Sequence, residues 1–494
     1  MEKNKVLTET EEPIYRKAKL PQLFLFPLAE LANMLFFLAM MFVSFYATGI
    51  AGLGVVVVSM VLTGIRIFDG MLTPIVGLLI DKTQGKFGKI RPFLVIGYLF
   101  TLGCALLVFF TTHYIPESFR LVYFIVIYTL HILGFNLVAL AAQSGYAILT
   151  NDPTQRPIIG GLNVLYTTIV GAFFGMYMAN VGARHGGFGN VGLFQELITV
   201  FAIGSAICML IAIIAISPAD RPENYGDIKV EKKEKVGFRT MVSVLRKNRP
   251  LQMLMVSSVT DRLAGNIANN TVINVMLFGI IIGDFGVTGV LAGVTLIPNI
   301  LVIIFGMGLA AKIGTKKAYI FSTLGSTSVG ILIILLLVFG DPTAIRFDAI
   351  GFMTIAFAIL HVAFGAFRLL NSMTVAPMLP DVIDYEHHQS GKFIPGTILA
   401  INSTTTHFIS SLYQTVVGVT LAAIGFRYAL PDLDTPFTTS IFNVTIFLGF
   451  GVLIISWLFS LICMKFYPLT KEKMEEIQTE LKRREEAGEI VASV

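Results

Sequence analysis

Twelve stretches of roughly twenty apolar residues, separated by polar connections, limit this chain to one kind of fold. A run that long crosses a bilayer, and inside lipid the backbone can satisfy its own N–H and C=O groups only as a helix or a closed barrel. The runs lie near 22–47, 54–80, 92–112, 121–148, 158–181 and 196–217, then near 251–282, 286–311, 318–339, 348–376, 397–424 and 439–465. They are too long and too continuous for barrel strands. The expectation is therefore an all-α polytopic membrane protein with twelve transmembrane helices in two pseudo-symmetric six-helix bundles, 21–217 and 251–466. A tail (1–20), a central loop (218–250) and a helical tail (467–494) would flank them. With 55% hydrophobic and 14% charged residues, no sizeable soluble domain fits beside the helices.

Lysine and arginine orient the chain, because cytoplasmic loops retain them. Lys3, Lys5, Arg16, Lys17 and Lys19 precede the first span, and Lys82, Lys86, Lys89 and Arg91 follow the second. The segment 218–250 holds nine basic residues, whereas the opposite loops offer Arg120, Arg184, Arg346 and Arg427. Both termini are thus expected in the cytoplasm, and the net charge of +5 reads as an orientation signal, with no nucleic-acid partner implied. The polar first twenty residues read as an uncleaved start. Cys104, Cys208 and Cys463 each sit in an apolar run and read as small buried hydrophobes. The tail TKEKMEEIQTELKRREEAGE pairs opposite charges three and four residues apart and reads as a solvated helix.

Symmetric halves are the usual build of secondary carriers with a central midplane site. In such a chain the informative residues are the ionisable ones inside spans, which cost several kcal/mol unless they are partnered or used. Arg66 and Asp69 stand three apart on one face of the second span and can neutralise one another. Asp261 and Arg262 in the seventh span, followed by Asn266, Asn269 and Asn270, form a polar stripe. Arg368 and His407 add two basic groups in the second half, and an acidic sugar or another carboxylate substrate would account for them.

Arg66-Ile67-Phe68-Asp69 continues to Pro74, Gly77, Asp81, Lys82, Thr83, Gly88, Lys89, Arg91 and Pro92, while Asp381-Val382-Ile383-Asp384-Tyr385 leads to Gly391, Lys392 and Gly396. With Tyr46-Ala47-Thr48-Gly49 at the end of the first span, these motifs resemble the glycoside-pentoside-hexuronide:cation symporter family, the melibiose-permease-like branch of the major facilitator superfamily. The resemblance implies the major facilitator fold, alternating access and a cation site made of two acids one turn apart. The first acid falls on Asp69 and the second on Thr73, so one negative charge is missing. Asp69, Thr73 and Asn136 can still offer oxygen ligands to Na+; a proton on Asp69 alone and an uncoupled carrier are the alternatives. No cofactor or other metal is expected. The family's sugar-binding positions fall on Asn33 (with Glu30 one turn earlier), Ala139, Gln143 and His407, none of which keeps the family residue.

The expected substrate-binding set is therefore Glu30, Asn33, Gln143, Asp261, Arg262, Arg368 and His407, with Tyr128, Tyr166 or Tyr413 as ring faces. The expected gating set is Arg66, Asp81, Lys89, Arg91, Asp381 and Asp384 in the two cytoplasmic loops. His387 and His388 beside Asp384 and Glu386 read as a solvated loop, with a metal site as the alternative. No phosphate loop, zinc pair or nucleophile elbow points to an enzyme. The expected function is movement of a glycoside, sugar or hexuronate-like solute across the plasma (inner) membrane by a monomer in contact with lipid. The alternatives are a carrier of an amphipathic, lipid-like cargo and a channel.

Overall fold

The computed structural model describes residues 17–83, 87–150, 152, 155–221, 244–391 and 394–486. Most of the amino-terminal tail and of the central loop, Lys392 and the side chains of Asp81 and Lys82 fall outside the described set. Helix occupies each of the twelve expected spans: α1 (Leu20–Ile50), α2 (Val55–Lys82), α3 (Arg91–Thr111), α4 (Glu117–Leu149), α5 (Gln155–His185) and α6 (Val191–Ile216) in the first half. The second half holds α7 (Arg249–Ala268, continued by Thr271–Ile281), α8 (Gly286–Ile313), α9 (Thr315–Phe339) and α10 (Phe352–Ser390). It closes with α11 (Pro395–Ser411, continued by Tyr413–Ala423) and α12 (Thr439–Phe466). Among the described residues ten of these helices are individually long and apolar enough to cross a membrane, and α7 brings the number to 11 if its two segments, bent by 51°, count as one span. The remaining helix, α11, breaks at Leu412 and carries His407 and a run of threonines, which lowers its apolarity.

Two expectations are corrected here. The segment 381–390 is not a loop: α10 runs on through it and stops only at Gly391, whose φ of 70° places it in the left-handed region that favours glycine as a helix terminator. Within that extension Glu386 and His387 are buried, and Asn248 Nδ2 donates to Glu386 at 2.8 Å, so this is packed structure and not a solvated loop. Nor is the carboxy-terminal helix α13 (Lys471–Glu486) simply solvated. Its Met474, Ile477 and Leu481 are buried in one cluster with Val382 and Ile398. Glu480 sits 2.8 Å from His388 and 2.6 Å from Arg484, and those two basic partners hold its carboxyl below the usual range. Charge pairing dominates the tail's sequence, but every third or fourth position also carries the apolar residue that docks it.

The halves touch at one face only among the described hydrogen bonds. Phe188 N–H, in the α5–α6 turn, donates to both carboxylate oxygens of Asp432, at 2.8 and 3.0 Å. Val55 N–H donates to the Arg427 carbonyl at 2.9 Å, and Thr271 Oγ1 to the Met41 carbonyl at 2.9 Å. Thr63 and Thr415 share a 2.8 Å bond slightly deeper. Phe188 is also wedged among Phe42, Phe45 and Phe285, with ring centroids 5.0 to 5.5 Å apart. All of these lie at the face opposite the termini. The bundle is sealed there.

Candidate functional site

A cavity of about 430 Å³ lies between the halves, below the sealed face. Its wall includes Arg66 and Asp69 of α2, Tyr128 of α4, Asn266, Asn269 and Asn270 of α7, and Tyr413 and Gln414 of α11. A dozen or so residues separate Asp69 from the start of α2, roughly 20 Å at the helical rise, which sets it at mid-membrane depth. The break of α7 at Asn269–Asn270 exposes polar backbone and side chains at the same depth. That is tolerated because they line the cavity and not lipid.

The structure brings Asp69, Thr73 and Asn136 together. Asn136 Nδ2 donates to Asp69 Oδ1 at 2.7 Å and to Thr73 Oγ1 at 2.9 Å, and Thr73 Oγ1 donates to the Asp69 carbonyl at 3.0 Å. Arg66 makes no ion pair with Asp69 within 4.0 Å; its guanidinium lies 5.6 Å from the ring centre of Tyr413 in the other half. Its place is the cavity wall and not the terminus-face gate.

The expected substrate set divides. Arg368 donates to Asn269 Oδ1 at 3.1 Å, immediately behind the wall. Arg262 and His407 are exposed between the cavity and the terminus face, and His407 lies near both Arg262 and Arg66. The Cβ of His407 also lies beside Gly70, one residue after Asp69. None of the seven is itself among the described lining residues. Asn33 is buried and donates to the Phe135 carbonyl at 3.1 Å, tying α1 to α4. Glu30 lies near Tyr146, itself paired with Asn163, and Gln143 is exposed. Asp261 turns to α9 and α12. Successive residues of a helix point about 100° apart, so Asp261 and Arg262 serve different faces. Tyr166 bonds to the Phe24 carbonyl, away from the cavity, and Trp457 is buried against Phe364 and not at the periphery.

The gating residues also move apart on inspection. Lys89, Ile90 and Arg91 donate their backbone N–H groups to Asp220, at 2.8 to 3.2 Å, and Arg91 Nη2 donates to the Asp220 carbonyl at 2.7 Å. Arg91 is thereby committed to its own half. Sequence reading missed Asp220; its one signal is an acid directly after a span, facing a glycine-rich basic turn. Asp381 accepts from Thr315 at 3.3 Å, and Asp384 lies near Gln478 of α13, both within the second half.

A sealed face, a polar midplane cavity between two six-helix halves and buried ionisable groups in its wall define a membrane carrier. The chain belongs to the MFS/sugar transport protein family, whose model matches residues 25–471, and within it to the glycoside-pentoside-hexuronide:cation symporters. It is 24% identical over 479 residues to the glucuronide carrier protein homolog of Escherichia coli (strain K12), covering 93% of this chain and 95% of that one. It is 22% identical over 408 residues to the isoprimeverose transporter of Lactiplantibacillus pentosus, covering 82% and 80%. The nucleoside transporter NupG has a similar fold at 13% identity and TM-score 0.59, over 91% of this chain and 99% of that one. A bacterial homologue of the iron transporter ferroportin, solved in an inward-facing state, matches with TM-score 0.59 at 11% identity, over 91% and 100%. The protein is an integral membrane secondary transporter of sugar-like solutes, not an enzyme.

Proposed function

We propose that the protein couples a cation, Na+ or H+, bound at Asp69 to the transport of a negatively charged glycoside or hexuronide. The observation that carries this reading is the charge around the cavity: Arg66 lines it, Arg368 stands behind Asn269, and His407 lies near Arg66 and Arg262, while the described wall holds one carboxylate, Asp69. A neutral sugar needs paired hydroxyl acceptors, which the family positions no longer supply. A uronate brings its own negative charge to the guanidinium groups, and Tyr128 and Tyr413 offer ring faces. The name of the glucuronide carrier homologue is in keeping with this.

Coupling follows from Arg66 and Asp69 facing the same cavity from one turn of α2. With Asp69 ionised, its field offsets that of Arg66 and weakens Arg66's attraction for a substrate carboxylate. A cation on Asp69 removes that competition, so cation and anion each raise the affinity for the other. A proton needs no rearrangement. For Na+, the Asn136 amide turns over so that its oxygen, Thr73 Oγ1 and Asp69 face one point. The basic loops support a plasma-membrane orientation with both termini in the cytoplasm and the sealed face outside, so this conformation faces inward.

Arg368→Gln and Arg262→Gln should each raise KM for an aryl glucuronide about 10- to 100-fold, the worth of one charge-assisted hydrogen bond. They should leave a neutral aryl glucoside almost unaffected. Equal losses for both substrates, in competition uptake, would overturn the anionic reading. Gating is assigned to Asp384, on the extension of α10 beyond the membrane. When the terminus face closes, it meets basic residues of the first half, with Asp81, Lys89, Arg91 and Asp381 in the same zone. Asp384→Asn should then slow uptake several-fold more than it weakens equilibrium binding, and equal loss of both would remove it from the gate.

A further inference from the structure

Asp261 occupies the face of α7 that the cavity does not use. Its Oδ1 accepts from Ser456 Oγ at 2.7 Å and from Ser460 Oγ at 2.8 Å, one turn apart on α12. Its Oδ2 accepts from Tyr319 Oη of α9. Tyr319 Oη in turn shares a 2.7 Å hydrogen bond with Ser257, one turn before Asp261 on α7. Tyr319, Ser257 and Ser460 are 0 to 1% exposed, so bulk water does not supply these partners. The titratable groups facing the carboxyl are Tyr319 from α9 and Cys463 from α12. The other two helices packed on α7 send their charges elsewhere: His407 of α11 toward Arg262, and Arg368 of α10 to Asn269. Among the described residues no Lys, Arg or His nitrogen comes within 4.0 Å of Asp261.

An ionised carboxylate at this depth, held by hydroxyl donors and lacking a counter-ion, costs several kcal/mol. Tying three helices together does not require that cost, since an asparagine oxygen accepts the same serine hydroxyls without a charge. The acid is needed only if its protonation state changes. Hydroxyl donors already occupy both carboxylate oxygens, which leaves no gap for a metal ion and makes a proton the fitting ligand. The hydrogen-bond chain accommodates either state. With Asp261 ionised, Ser257 donates to Tyr319 and Tyr319 to Oδ2. When Oδ2 takes up a proton, it donates to Tyr319 Oη, whose own hydrogen turns to Ser257 Oγ. Only hydroxyl rotations are involved, and one proton is gained with no other bond broken.

We propose that Asp261 is a proton-binding site separate from Asp69, which takes up and releases a proton as α7 shifts against α9 and α12 during transport. The three donors that sustain the anion belong to two other helices, so a displacement of α7 strips them away and a proton replaces them. Arg262, the next residue, faces the route to the cavity, and α7 bends at Asn269 two turns further on. The charge on Asp261 thus reports and biases the position of the helix that forms one wall of the site. This inference stands apart from the coupling role of Asp69.

The test is infrared difference spectroscopy of the full-length protein in liposomes without substrate, between about pH 5 and about pH 9. The parent should show the carbonyl stretch of a buried carboxylic acid on acidification. That band should persist in Asp69→Asn and vanish in Asp261→Asn. Should Asp261→Asn fail to insert, Tyr319→Phe removes a single donor to the anion and should shift the band and move its appearance to higher pH. In counterflow of an aryl glucuronide, Asp261→Asn should flatten the pH profile, whereas a residue that merely ties helices would leave its shape intact. Absence of the band in the parent, its persistence in Asp261→Asn, or its indifference to Tyr319→Phe would each overturn the assignment. Because no substrate is needed for the spectra, their outcome is independent of whether the anionic-substrate reading holds.

Discussion

In proteoliposomes with an imposed sodium or proton gradient, Asp69→Asn is expected to cut gradient-driven accumulation of an aryl glucuronide at least about tenfold, the equivalent of about 1.4 kcal/mol of lost coupling. Exchange of labelled for unlabelled substrate should survive. The substitution is nearly isosteric and keeps an oxygen for Asn136, which now donates to Asp69 at 2.7 Å, so packing of α2 on α4 has little reason to change. What disappears is the negative charge that a cation neutralises, and with it the linkage between cation and substrate. Thr73→Val separates the two ions. Sodium loses an oxygen ligand and its gradient should cease to drive uptake, whereas a proton on Asp69 is scarcely affected. An Asp69→Asn protein that concentrates substrate as well as the parent would sink cation coupling at this site.

Asp432→Ala should have the second large effect, at the opposite end of the molecule. Its carboxylate receives the Phe188 N–H across the seam between the halves, and a charge-assisted bond of this kind contributes about 1.5–3 kcal/mol. That bond exists only while this face is closed, so its loss moves the equilibrium toward opening there by about 10- to 100-fold. Labelling of a cysteine placed at Tyr413 by an impermeant thiol reagent added outside should accelerate correspondingly. The wedge of Phe188 among Phe42, Phe45 and Phe285 persists in the variant, which limits the shift and keeps the protein folded. Unchanged labelling would mean that the aromatic wedge alone seals this face.

The architecture was legible because a bilayer permits so few solutions: apolar length and basic loops were enough to place the spans to within a few residues, save where α10 outruns its apolar stretch. There the missing information was Gly391, a terminator whose effect depends on backbone conformation. Asp69, Thr73 and Asn136 could be grouped because the family resemblance falls on Asp69 and Thr73, one turn apart, and Asn136 of the fourth span offers a further oxygen ligand. Glu30, Asn33, Gln143 and Asp261 could not be placed, since a polar residue in a span reveals that it faces protein, not which neighbour it faces. Asp261 and Arg262 illustrate this: adjacent in sequence, they belong to different environments through helical rotation alone. Asp220 escaped notice because three of its partners, Lys89, Ile90 and Arg91, reach it through backbone N–H groups, which leave no trace in side-chain pattern. Tyr128, Asn274 and Gln414 entered the cavity wall by the same geometric accident that excluded Gln143.

Where α5 meets α8 most of the facing residues are small: a Cβ on Gly175 would lie 2.9 Å from Ala292, one on Gly289 would lie 3.0 Å from Ala179, and only Met176 reaches across, over Gly293. Side chains as short as those of Gly175, Ala179, Gly289 and Ala292 do not interdigitate, so the two surfaces can roll over one another as a plain bearing in which the flexible Met176 is the one tooth. Reorientation then carries little intrinsic friction from the seam, and the pace of the cycle falls to the latches at either end and to whatever occupies the cavity. Bulk introduced at Gly175 would act as grit in that bearing, slowing both directions of movement alike while leaving the binding site untouched.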